Sequence, residues 1–196
     1  MCGAGGRLEL PGKRTRLQSM SSAPRSLISE AEFLRLPETT RPMELVDGEL
    51  IVAPSPSLWH QEVLIRLVGS LRTWAADAAG SVTVMQSPLD IRFAPGRILQ
   101  PDAMVFLEVL PRDIPMPIDR IPAICIEVLS TDRAYDRVRK RAIYAEAGVQ
   151  EYWIVDHAGF VERRTGPGLE QVEELSGRLC SALLPGFELN IAELFA

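Results

Sequence analysis

Apolar residues recur along this chain with two different periods, and the changes of period mark out the expected elements. Between residues 59 and about 79, Val63, Leu64, Leu67, Val68, Leu71, Trp74 and Ala75 fall on one helical stripe, with Gly80 placed to end the helix. Strand-like alternation occupies 81–85 and 89–93, with a turn at Ala94-Pro95-Gly96. Residues 103–107 and, apart from one charge, 123–129 are apolar runs, the pattern of strands buried on both faces. A helix is expected over 133–147, with Gly148 just past its end, followed by strands at 152–155 and 160–164. The C-terminal part predicts a strand pair near 171–175 and 179–184, then a strand at 191–195. Near the start, Ser29 with Glu32 has capping-box spacing for a short helix that Pro37 ends. Asp47-Gly48 lies between two apolar runs, as in a two-residue hairpin. Hairpins and strand–helix alternation together predict an α/β fold with a mixed sheet.

Composition narrows the class. The chain has 196 residues, 46% hydrophobic and 24% charged, which suits one globular domain with a full core. No apolar run is long enough to cross a membrane. Cys2, Cys125 and Cys180 are widely spaced and form no CxxC pair, which argues against a disulfide framework or zinc knuckle and for a reducing, cytoplasmic location. The net charge of −5 excludes a broadly basic nucleic-acid coat but not a local basic groove. Residues 1–25 are different in kind. They carry Arg7, Lys13, Arg14, Arg16 and Arg25 against Glu9 and show no apolar periodicity, so a disordered basic tail is expected before a domain spanning 26–196. Such a tail either touches DNA or reflects a start upstream of a true initiator at Met20.

Three carboxylates stand where a core should be. Glu127 interrupts the 123–129 run, Asp102 opens the 103–107 run, and Glu44 lies between Met43 and Leu45. A buried carboxylate needs a partner, and one divalent cation of the Mg²⁺ type could serve all three. Lys140 lies on the helix after the Glu127 run and shares a face with Tyr144. An ammonium there would orient a metal-bound water and offset charge on a phosphate. The same residues also permit plainer readings: an exposed Asp136–Lys140 ion pair, a solvent-facing Glu44, an Asp102 that caps a loop. His60 and Tyr144 are second-rank candidates, while His157 reads as an exposed turn residue. Arg133, Arg137, Arg139 and Arg141 concentrate positive charge beside Lys140, and Arg92 and Arg97 flank the strand before Asp102. These could line a DNA groove or simply form a solvated face.

Gln100-Pro101-Asp102 followed by Ile126-Glu127-Val128-Leu129-Ser130 resembles the PD-(D/E)XK nuclease signature. More specifically, the chain resembles the Uma family of putative restriction endonucleases over about 28–196. The matching pieces run from Glu44-Leu45-Val46-Asp47-Gly48 through His60-Gln61 and Asp136-Arg137 with Lys140. They continue to Glu151-Tyr152-Trp153-Ile154-Val155-Asp156 and Leu184-Pro185-Gly186. The resemblance implies a restriction-endonuclease-like mixed sheet flanked by helices. It also implies a metal bound by Glu44, Asp102 and Glu127, with Mg²⁺ or Mn²⁺ as the ion and DNA as the substrate. Leu129 stands where the general signature has lysine, and the family pattern places that lysine at Lys140 instead. Gln150 occupies a position where the family often has proline.

A metal-dependent endonuclease is the first functional expectation, and a non-catalytic nucleic-acid-binding or interaction module on the same fold is the second. A metabolic α/β enzyme is a weaker third, without a glycine-rich phosphate loop or nucleophile elbow in the sequence. Cutting both strands is simplest with two sites related by a two-fold axis, so a homodimer is an open expectation.

Overall fold

The computed structural model describes residues 27–37, 39, 41–77, 81–129 and 135–196. The expected basic tail, Gly80 and Arg133 lie outside the described residues. Helix α1 (Glu30–Phe33) opens on the anticipated capping box, with the Ser29 hydroxyl accepting from Glu32 N and the Glu32 carboxylate accepting from Ser29 N. Strands β1 (Met43–Val46) and β2 (Glu49–Val52) form the hairpin. Its turn needs positive φ at both central residues, 53° at Asp47 and 86° at Gly48. A Cβ on Gly48 would also lie 3.2 Å from Leu27 Cβ. Gly48→Ala should therefore cost about 1–2 kcal/mol, read from the urea midpoint.

Helix α2 (Leu58–Asp77) buries Val63, Leu64, Leu67, Val68 and Leu71, the core of the expected stripe. It is followed by β3 (Thr83–Gln86), β4 (Ile91–Ala94), β5 (Arg97–Leu99), β6 (Ala103–Phe106) and β7 (Ile124–Val128). A π-helical turn, Tyr135–Lys140, runs into α3 (Arg141–Ala147), which Gly148 ends in the left-handed conformation. Then come β8 (Glu151–Asp156), β9 (Phe160–Thr165), β10 (Gln171–Leu175), β11 (Arg178–Cys180) and β12 (Glu188–Asn190).

Six strands form the central sheet in the order β10-β9-β8-β7-β6-β3. Among the described residues its only parallel strand pair is β7 with β8, joined through the π turn and α3. A second sheet, β2-β1-β5-β4, is antiparallel throughout. Alternation along the central strands sorts the core into two layers. Ile124, Ile126 and Val128 pack with α2 and the C-terminal segment. Cys125 and Leu129 pack with Tyr144, Met104, Tyr152 and the inner face of the second sheet. Glu127 follows Cys125 at the same period, so it faces α3 rather than α2. The connector Gln100-Pro101-Asp102 carries the chain from β5 in one sheet to β6 in the other.

Three expectations change. The helix over 133–147 is in part π-helical. The segment 171–175 pairs with β9, and of 179–184 only Leu179 and Cys180 are strand, within β11, which pairs with β12. Residues 191–195 contain a 3-10 helix, Ile191–Leu194, which buries Ile191 and Leu194 and is capped by Asn190. That i, i+3 spacing is helical rather than alternating.

Candidate active site

Glu127 projects from β7 into a site closed by the π turn and α3. Its Oε1 accepts hydrogen bonds from Lys140 Nζ at 2.9 Å and Tyr144 OH at 2.7 Å. Glu44 arrives from β1 in the other sheet. Its Oε1 lies 3.2 Å from Lys140 Nζ and accepts from Gln100 N at 3.0 Å, while Oε2 accepts from Tyr135 OH at 2.8 Å. Asp136 Oδ1 stands 3.8 Å from the same ammonium. Glu44, Glu127, Asp136 and Lys140 are all buried, so neither the exposed ion pair nor the solvent-facing Glu44 describes them.

The π turn accounts for part of this geometry. In an α-helix, residues five apart point about 140° away from each other. Wider winding brings Tyr135 and Lys140 to one side, where the ammonium lies 5.5 Å from the Tyr135 ring centroid. Tyr135 was not legible as a site residue, because its partnership with Glu44 depends on that winding. Asp136 was legible as an i, i+4 partner of Lys140 and within the family resemblance, not as a neighbour of the carboxylates.

Asp102 sits one residue beyond the Ala103–Ile126 pair of the antiparallel β6–β7 ladder, directly across from Glu127. Its Oδ2 accepts from Val128 N at 2.8 Å and lies 3.0 Å from His60 Nε2 at the start of α2. The two second-rank candidates thus act on different carboxylates: Tyr144 on Glu127 and His60 on Asp102.

Negative charge exceeds positive charge here. Burial pushes the Glu127 carboxyl well above its usual range; Lys140 offsets this in part, and Asp102, Asp136 and Glu44 reinforce it. Burial opposes the Lys140 ammonium, but Glu127, Glu44, Asp136 and Asp102 outweigh it, so the lysine is held charged. Burial also raises the Tyr144 and Tyr135 phenols, with Glu127 and Glu44 adding to it respectively, so both remain donors.

This donor set suits a hard cation at two carboxylates. Among the described residues no three His, Cys, Asp or Glu side chains are grouped to hold one ion. Both Glu44 oxygens have partners. The hydrogen bonds to Asp102 fall on Oδ2 and those to Glu127 on Oε1, leaving Oδ1 and Oε2 as acceptors without a partner among the described residues. One or two carboxylates, with water and phosphate completing the sphere, is the usual environment of Mg²⁺.

The arginines are largely engaged within the protein. Arg137 bonds Asp156 at 2.8 Å and lies 3.4 Å from Glu162. Arg139 bonds Glu49 at 2.7 Å, and Arg141 bonds the Gly168 carbonyl at 2.7 Å. Arg92 pairs with Glu30 and Asp119, and Arg97 with Asp47 and Glu146. His157 is exposed, as expected, yet its ring stacks on Trp59 at 3.6 Å and its Nε2 lies 2.8 Å from the Leu129 carbonyl oxygen.

A mixed central sheet with acidic residues facing each other across adjacent strands, and a lysine supplied by the following helix, defines a restriction-endonuclease-like fold. The chain belongs to the Uma2 family, described as putative restriction endonuclease, whose model matches residues 30–192. Among solved structures it is similar to a putative nuclease of the DUF820 family from Anabaena variabilis, with 24% identity and a TM-score of 0.70 over 86% of this chain and 97% of that one. At that identity the likeness speaks for the fold. No curated protein matches the chain. Among the described residues, no helix is long and apolar enough to cross a membrane.

Proposed function

We propose that this protein is a metal-dependent DNA endonuclease that hydrolyses phosphodiester bonds. The observation that carries this reading is the buried Lys140 ammonium, 2.9 Å from a Glu127 carboxylate that keeps one oxygen uncommitted, with Asp102 across the ladder. Asp102 and Glu127 would hold Mg²⁺, or Mn²⁺ in its place. Such an ion, when bound, lowers the pKa of a coordinated water and polarises the scissile phosphate. Lys140 orients the attacking water and offsets the charge that grows on the phosphate. Glu44 acts through Lys140: with both oxygens occupied, it fixes the ammonium beside Glu127 rather than serving as a ligand. Tyr144 holds Oε1 of Glu127, so that Oε2 is the oxygen available to a cation. Double-strand cutting would be simplest for a homodimer.

The alternative is a non-catalytic interaction module on the same fold. The engagement of Arg92, Arg97, Arg137 and Arg139 with carboxylates favours it, since phosphate contact needs available cations. Supercoiled plasmid incubated with Mg²⁺ or Mn²⁺ separates the two. Nicking by the unsubstituted protein, lost in Asp102→Ala and Lys140→Ala, is the expected result. Equal nicking by Asp102→Ala would defeat this mechanism, and no cleavage of any substrate would favour the alternative.

A further inference from the structure

His60 carries a buried ring nitrogen without a hydrogen-bond partner, and the proposed mechanism does not use the residue. Ser57 accepts a hydrogen bond from His60 N at 3.1 Å and so caps the first turn of α2, placing the imidazole against the β6–β7 end of the central sheet. The residue is 8% exposed. Its Nε2 lies 3.0 Å from Asp102 Oδ2, which accepts only, so Nε2 carries the proton. Its Nδ1 is buried with no hydrogen-bond partner. The ring is thus held as an Nε2–H donor, with Nδ1 left without a bond. An apolar side chain would fill this place without an orphaned nitrogen. What the imidazole adds, and an apolar residue cannot, is the bond to Asp102.

We propose that His60 is a positioning residue for Asp102, a role that rests on the metal-site reading above. Together with Val128 N, it saturates Oδ2 and so keeps Oδ1 as the atom offered to a cation beside Glu127 Oε2. With Val128 N alone, the carboxylate can turn about its Cβ–Cγ bond and present either oxygen. Partners that orient ligating groups in this way typically change metal affinity by about 10–100-fold when removed.

The test is Mn²⁺ binding to the full chain without DNA, measured by the free Mn²⁺ electron paramagnetic resonance signal, with thermal unfolding followed in parallel. His60→Leu should bind Mn²⁺ about 10–100-fold more weakly and yet melt no lower in the absence of metal, because the orphaned nitrogen is gone. His60→Gln, whose amide can donate from similar reach, should recover most of the affinity, whereas the shorter His60→Asn should not. These two also serve if the leucine variant does not fold. Wild-type affinity in His60→Leu, or in both amide variants, would overturn the positioning role while leaving the metal site standing. A drop in melting temperature with unchanged Mn²⁺ affinity would make His60 structural only. No Mn²⁺ binding by the unsubstituted protein would defeat the metal site itself, and this role with it.

Discussion

Lys140→Met should destabilise the fold by about 3–5 kcal/mol and abolish plasmid cleavage, the largest combined effect expected of any single substitution here. The methionine fills similar volume, so the loss is not one of packing. It arises because Glu127 and Glu44 lose the cation at 2.9 and 3.2 Å and remain buried. Removing one partner of a buried ion pair costs more than the pair contributes when intact, since the survivor keeps its desolvation penalty. Urea unfolding of both proteins measures this directly. The deficit should shrink as pH falls. Burial already raises the Glu127 carboxyl, and without Lys140 it is raised further. An acid whose folded pKa lies above its unfolded one destabilises the fold as pH rises through that window, and the penalty is relieved below it by proton uptake. A variant equally destabilised at pH 5 and pH 8 would contradict this account.

Glu127→Gln should do the opposite: little change in stability, within about 1 kcal/mol, with a loss of cleavage of about 10³-fold. The amide oxygen can still accept from Lys140 Nζ and Tyr144 OH, and one carboxylate is removed from an over-acidic site. What disappears is the negative oxygen offered to a cation, and the transition-state charge stabilisation of a bound ion amounts to several kcal/mol. Single-turnover cleavage at saturating Mg²⁺ together with a thermal melt separates the two effects. Retained activity in Glu127→Gln would remove this residue from the site. The pair of variants thus distinguishes a lysine that both holds the fold together and serves the reaction from a carboxylate that serves the reaction alone.

Several features were legible because they are local. The capping box at Ser29, the Asp47-Gly48 turn and the stripe of α2 each depend on residues within a few positions of one another, and each forms as expected. The misread segment at 191–195 was local too: Ile191 and Leu194 are spaced for a helical turn. The charged positions within apolar runs were equally visible, since Glu127 breaks a run whose neighbours are all buried. A buried carboxylate announces that a partner exists, but not which one.

The sequence by itself determined the mixed sheet and the charged positions set within its apolar runs, because side-chain period follows from backbone geometry alone. Only the tertiary structure decided how those residues divide the work. Glu44 reaches Lys140 from the opposite sheet, Tyr135 turns onto Glu44 through a π-helical winding, and Asp102 meets His60 across the packed face of α2. These contacts join elements far apart in the chain. They decide which carboxylate oxygens are hydrogen-bonded and which have no partner among the described residues, and no periodicity encodes that, since it depends on how two sheets and two helices pack against one another.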